Sequence, residues 1–205
     1  MMKGMKRSLS FLLLVLTLTP SLFPAKVQFA EQFYRLYHQH LNRSPESSAE
    51  NIWYLSMALR SPFANPLNAL AEIEDEVAWE KYRNLFRMHA YLEIVEQYLA
   101  LAAKYDKFEA KFYNYPWKAA NLDSLRTAES YYHLALESWN LALGFAQVVR
   151  EKRFHWIDLE EIRYWEDEAY RIEMGELDYR DIIETHLERL AQVRQDFQAM
   201  DYDTY

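Results

Sequence analysis

The stretch LDSLRTAESYYHLALESWNLALGFAQVVR, residues 122–150, decides the fold of this chain. Its apolar residues recur at alternating intervals of three and four, which is the pattern of a helix that packs beside other helices. This first seam consists of Leu125, Ala128, Tyr132, Ala135, Trp139, Ala142, Ala146 and Val149. Large side chains alternate with alanines along it, so a neighbouring helix can approach closely between the rings. The sequence therefore predicts a long helix at the centre of the fold.

A second apolar seam lies about 100° around the axis of the same helix. It consists of Tyr131, Leu134, Ser138, Leu141, Phe145 and Val148. The remaining face is polar and carries His133 and Glu137. A helix with two apolar seams and one polar strip is expected to be flanked by other helices on two sides.

Helical periodicity predicts further helices along the rest of the chain. They are expected near residues 27–41, 49–60, 72–105, 159–174 and 179–200. Glycine, which the turns of sheet proteins need, occurs only three times in 205 residues. The sequence predicts an all-α fold, an antiparallel bundle of about five to six helices. We expect one domain, residues 26–200, followed by a frayed tail at residues 201–205.

Residues 1–25 have the composition of an export signal. Basic residues precede an apolar run at residues 8–19, which Pro20 ends. The run is short for a membrane span, so a signal peptide is the first interpretation. An uncleaved anchor is the alternative, because Phe23 stands where a cleavage motif prefers a small residue. The expected location is the bacterial periplasm.

Composition excludes several classes of partner and anchor. The chain contains no cysteine, so it has neither an acylated lipoprotein anchor nor disulfides. It carries 23 basic and 31 acidic residues, a net charge of −8, and losing the three basic residues of the signal would leave −11. Such a surface repels nucleic acid and anionic lipid. We expect no nucleic-acid partner and no membrane insertion once the signal is removed.

Recognisable catalytic motifs are missing from the sequence. With so few glycines there is no phosphate-binding loop, dinucleotide fingerprint or nucleophile elbow. The histidine and glutamate spacings of zinc and di-iron sites are also missing. We therefore predict a protein that is not an enzyme, with no catalytic residue, no metal and no cofactor.

Acidic residues and histidines in the helices have more than one interpretation. A run of acids could coordinate a cation, receive a basic partner or form a solvated helix face: Glu160, Glu161, Glu166, Asp167 and Glu168. We interpret it as a solvated face. His89 and His186 lie on apolar stripes, where buried and hydrogen-bonded histidines are expected.

An aromatic connector joins the two longest predicted helices. It contains Phe108, Phe112, Tyr113, Tyr115 and Trp117, and Pro116 prevents it from being simply helical. Tyrosine and tryptophan are enriched where proteins meet. Alternatively, the rings cover the end of the bundle. The residues predicted to bind a partner are Phe112, Tyr113, Tyr115 and Trp117.

Several runs of the sequence resemble known proteins. Ala128, Tyr132 and Ala135 match the pattern of the second helix of tetratricopeptide repeats. The runs KYDK (104–107), YNYPWK (113–118), WEDE (165–168) and GELDY (175–179) look like exported helical proteins of spirochaetes. Some proteins of that kind build the periplasmic collar around the flagellar motor. The resemblance implies a tetratricopeptide-like helical array with a scaffold role and no catalytic residues.

Three functions are consistent with these observations. The first is an exported scaffold or adaptor of the bacterial cell envelope, which binds other envelope proteins, with the periplasmic flagellar motor as the assembly that the resemblance implies. The second is a periplasmic binding protein for an apolar or aromatic small ligand, held between the long helices near Trp117 and Trp139. The third is a hydrolase that uses a pair of carboxylates.

Overall fold

The computed structural model describes residues 26–107 and 114–203. Within these ranges the chain forms six α-helices and no strand. They are α1 (Ala30–Arg43), α2 (Ser48–Arg60), α3 (Glu76–Ala103), α4 (Lys118–Val149), α5 (Arg163–Glu173) and α6 (Tyr179–Ala199). The predicted all-α bundle is confirmed. The expected signal peptide, residues 1–25, lies outside the described residues.

Helices α3 and α4 form the longest packed pair. Tyr91 stacks on Phe145 with ring centroids 5.9 Å apart, and Tyr98 stacks on Tyr131 at 6.3 Å. As the residue number rises along α3 it falls along α4, so the two helices are antiparallel. The predicted first seam of α4 is buried along its whole length, and none of its eight residues is more than 5% exposed.

The other face of α4 packs against the C-terminal helix. Trp139 meets Tyr179 of α6 edge to face, and Tyr132 stacks on His186 at 5.1 Å. The prediction that other helices flank α4 on two sides is therefore confirmed. The second predicted seam is half-buried at Tyr131 and Phe145, whereas Leu134 and Leu141 are 37% and 49% exposed.

Helices α1 and α2 cover the remaining side of α3. Tyr34 of α1 meets Phe86 with ring centroids 5.3 Å apart. The amide of Asn51 in α2 donates to Gln97 Oε1 at 3.0 Å, so this contact also includes a buried polar pair. None of the described helices combines the length and hydropathy that a bilayer crossing requires.

The ends of the helices follow local capping chemistry. Asp75 and Asp178 accept backbone N–H groups at the starts of α3 and α6. Gly175 has a φ of 71°, the left-handed conformation that ends α5. The expectation that α5 begins just after Asp158 is wrong, because the helix starts at Arg163 and the Asp158 carboxylate pairs with the Arg163 guanidinium at 2.9 Å.

Candidate functional site

Tyr115 and Trp117, two of the predicted partner-binding residues, lie in a short 3₁₀ turn that leads directly into α4. Pro116 occupies the beginning of this turn, where a missing N–H group costs little. The Trp117 N–H donates to the carbonyl of Asn114 at 3.1 Å, which closes the turn. The other two predicted residues, Phe112 and Tyr113, lie outside the described residues.

The rings of this turn are open to solvent. Tyr115 is 40% exposed and Trp117 is 56% exposed. Tyr202, which follows α6, places its ring 6.0 Å from that of Tyr115 and is 81% exposed. We call Tyr115, Trp117 and Tyr202 the aromatic end. Solvent-exposed aromatic clusters are uncommon on monomers, and their composition matches that of protein interfaces.

Lys118 holds the two chain segments of the aromatic end together. Its ammonium donates to the carbonyls of Gln198 and Met200, both at 2.8 Å. A cation at the C-terminus of a helix satisfies carbonyls that lack intrahelical donors. The start of α4 is thus fixed to the end of α6. A surface that is already ordered loses less entropy when a partner binds.

His89 lies in a buried polar network, as predicted for a core histidine. Its Nδ1 is 2.8 Å from Glu168 Oε2, and its Nε2 is 2.7 Å from Tyr34 Oη. These three residues are at most 8% exposed. In addition, the Tyr37 hydroxyl donates to Glu93 Oε2, and Glu93 Oε1 is 3.5 Å from His89 Nε2. The network joins α1, α3 and α5.

A chain of carboxylate, imidazole and phenol is an arrangement that can move a proton. A substrate would also need space beside it. Neither of the cavities described below is lined by His89, Glu93 or Glu168. The Glu93 carboxylate accepts from Tyr37 and the Glu168 carboxylate pairs with His89, so the network joins three helices through protein groups.

Two acids contradict the prediction of a solvated face. Glu166 is 4% exposed, and its two carboxylate oxygens lie 2.6 and 2.8 Å from Lys81 Nζ. The Ile157 N–H donates to the same carboxylate at 2.9 Å, and Lys81 also donates to the His155 carbonyl. Glu168, with 5% exposure, pairs with His89. Both acids pair with residues of α3. The periodicity of α5 alone does not reveal that Lys81 and His89 of α3 lie opposite them.

Other acids of the run fit the prediction. Glu160, Glu161 and Asp167 are exposed. In the part of the chain that the structure describes, no group of three histidine, aspartate or glutamate side chains is placed to hold a metal ion.

The predicted ligand pocket would need Trp117 and Trp139 close together, but the two residues lie far apart in the fold. The two residues lie 22 positions apart on one helical run, which corresponds to about 33 Å. Trp139 is 2% exposed. A cleft of about 510 Å³ lies between segments 72–78 and 153–159, and a smaller one of about 220 Å³ lies beside Tyr91 and Tyr98. Neither tryptophan lines either cavity.

Buried tyrosines make the fold sensitive to alkali. Burial raises the pKa of Tyr34, Tyr37, Tyr82 and Tyr132 well above the ordinary value of 10. The unfolded chain loses these protons near pH 10, whereas the folded chain keeps them. Their contribution to stability is therefore complete below pH 10 and is lost above it, by about 1.4 kcal/mol per pH unit for each tyrosine.

We expect the free energy of unfolding to fall steeply above pH 10. Denaturation followed by circular dichroism between pH 7 and 12 measures it, and phenolate absorbance on the same samples reports ionisation. Absorbance from the buried phenols is expected to rise together with the loss of helix. Ionisation of these groups at pH 10 in a chain that stays helical would contradict the prediction.

Comparison with known proteins identifies one family. A family model described as a domain of unknown function (DUF8513) matches residues 77–200. The match covers nearly all of α3 together with α4, α5 and α6, so it contains the Lys81–Glu166 and His89–Glu168 pairs. No curated protein and no solved structure matches the chain.

Proposed function

The chain belongs to the domain family of unknown function DUF8513, and from this premise we propose that it is a scaffold or adaptor protein that binds other proteins through its aromatic end. The observation that carries the proposal is the exposure of Trp117 and Tyr115 in a turn fixed by Pro116 and Lys118. Tryptophan and tyrosine dominate the binding energy of many interfaces, because they bury large areas while losing few rotamers.

The bacterial cell envelope is the compartment in which we place this function. The signal-like composition of residues 1–25 and the absence of cysteine support this assignment. Other envelope proteins are then the partners. Participation in a periplasmic flagellar motor assembly is the most specific form of the proposal, and it rests on the sequence resemblance to exported helical proteins of spirochaetes.

Replacing Tyr115 and Trp117 together with alanine tests the aromatic end. We expect the partners captured by cross-linking in native cell envelopes to be lost, because truncating a central aromatic anchor costs about 2 kcal/mol or more, roughly a 30-fold loss of affinity. Both side chains are exposed, so we expect the free energy of unfolding to change by less than about 1 kcal/mol. Cross-linking with mass spectrometry and chemical denaturation measure the two quantities.

Trp53→Ala provides the matched control. Trp53 is 53% exposed but lies on α2, where its ring contacts Phe33 and Tyr54. This variant is expected to keep the partners. A double variant at the aromatic end that keeps the same partners would refute the proposal. A loss of more than about 2 kcal/mol of stability would show instead that the rings cover the bundle.

A further inference from the structure

The larger cleft lies where the segment before α3 meets the segment after α4. Its volume of about 510 Å³ is within the usual range for sites that bind small groups. Apolar side chains line much of it, among them Ile73, Val77 and Leu159. Trp156 also lines the cleft and is 56% exposed. An indole in this position has surface available for a ligand.

The cations of the cleft are already neutralised by the protein. Lys81 is buried against Glu166. Arg153 pairs with Glu80 at 2.6 Å and with Glu151 at 2.7 Å. Neither cation is therefore available to attract an acidic ligand, and an anion placed here would meet no uncompensated positive charge from these two side chains.

The acids of the cleft are not all neutralised. Asp75 caps α3 and Asp158 pairs with Arg163. Glu72 and Glu74, however, are exposed, and no cation in the described ranges 26–107 and 114–203 forms an ion pair with either. The cleft thus combines apolar walls, an exposed indole and uncompensated negative charge.

We propose that this cleft binds an arginine or lysine side chain of a partner polypeptide. The long aliphatic stem of such a residue packs on apolar surface while its charged head stays near carboxylates. A guanidinium or ammonium group is also attracted to the face of a tryptophan ring. The proposal deepens the adaptor function and rests on it, because it names the chemistry of a second partner surface.

The two surfaces lie at opposite ends of the bundle. The cleft adjoins the start of α3 and the end of α4, whereas the aromatic end adjoins the start of α4. Because α3 and α4 are antiparallel, the 28 residues of α3 separate the two surfaces by about 42 Å. One chain can therefore hold two partners in the same complex, at positions about 42 Å apart.

Calorimetric titration of the full chain with short peptides tests the cleft. The probes are acetyl-Leu-Arg-Leu-Arg-amide and its counterpart with glutamate in place of arginine. We expect saturable binding of the arginine peptide, at least tenfold tighter than that of the glutamate peptide, and weaker binding at high salt because exposed charges are screened. Glu72→Gln with Glu74→Gln is expected to weaken binding about tenfold, and Trp156→Ala about fivefold.

A matched variant separates local charge from net charge. Glu137→Gln with Glu188→Gln removes the same two charges from exposed positions that do not line the cleft, and it is expected to bind the arginine peptide normally. Equal binding of both peptides, or unchanged binding after substitution of Glu72 and Glu74, would overturn the proposal. Binding of arginine amide alone as tightly as the peptide would overturn the assignment to a polypeptide.

The proposals for the two surfaces can be refuted independently of each other. Trp117→Ala is expected to leave peptide binding in the cleft intact, since the variant lies at the other end of the bundle. Partners lost by that variant, together with no peptide binding by the native chain, would refute the cleft alone. Normal peptide binding together with unchanged partners in the Tyr115 and Trp117 variant would refute the aromatic end alone.

Discussion

Replacing Lys81 with methionine is expected to lower the free energy of unfolding by about 3–5 kcal/mol. The side chains of Lys81 and Glu166 are 6% and 4% exposed, and the ammonium lies within hydrogen-bond distance of both carboxylate oxygens. Without the Lys81 ammonium, the Glu166 carboxylate stays buried. Among the described residues, only the Ile157 N–H then still donates to it. Chemical denaturation at neutral pH measures the effect.

A double substitution shows whether the cost arises from the stranded charge. Lys81→Met with Glu166→Met replaces the ion pair by apolar groups, and such replacements are often nearly neutral. We expect the double variant to recover most of the stability that the single one loses. Arg163→Met, which breaks an exposed pair with Asp158, is expected to cost less than about 1 kcal/mol. A cost this small for Lys81→Met would contradict the prediction.

Replacing Trp139 with alanine is expected to cost about 3–5 kcal/mol, because it leaves a large cavity in the middle of the bundle. The side chain is 2% exposed and packs edge to face on Tyr179 with ring centroids 5.6 Å apart. Trp139 belongs to the first seam of α4, so the cavity would lie where α4 packs on its neighbours. Thermal and chemical denaturation followed by circular dichroism measure the loss.

Phenylalanine at the same position removes the indole N–H while filling most of the space that alanine would leave empty. Trp139 Nε1 is buried and has no hydrogen-bond partner in the described part of the chain. Trp139→Phe keeps most of the ring and removes this unpaired donor, so its cost is expected to stay below about 1.5 kcal/mol. If phenylalanine cost as much as alanine, the cavity explanation would be wrong.

Periodicity was sufficient to predict the centre of the fold. The first seam of α4 is fully buried because neighbouring helices cover it, with Tyr132 and Trp139 packing on α6. This prediction depends only on the spacing of apolar residues within one helix, which the sequence displays directly. The second seam shows the limit of this reasoning, because apolar spacing does not tell whether a neighbouring helix reaches Leu134 and Leu141.

Charges that pair across the fold could not be predicted in the same way. Lys81 and Glu166 are 85 residues apart, and His89 and Glu168 are 79 apart. Their meeting depends on how α5 lies against α3, which no local pattern encodes. In the sequence, Glu166 and Glu168 look like the exposed acids beside them. Their burial becomes apparent only when the packing of α5 on α3 is known.

The aromatic end was predictable in part. Composition identified Tyr115 and Trp117, since five aromatic residues in a connector containing proline are unusual for a simple loop. Tyr202 was missed because the tail was expected to fray. The contact between Tyr202 and Tyr115 joins segments 87 residues apart, and beside it Lys118 binds the carbonyls at the end of α6.

The antiparallel pairing of α3 with α4 has a mechanical consequence. A tension applied between the start of α3 and the start of α4, which lie at opposite ends of the antiparallel pair, runs along the axes of both helices. To separate α3 from α4, the two rings of each stacked pair must then slide past each other, and both pairs must do so at the same time. The pairs are Tyr91 with Phe145 and Tyr98 with Tyr131. This shear geometry loads many contacts in parallel, whereas a pull across the helices would open them one after another. We expect the bundle to resist lengthwise tension much better than crosswise tension.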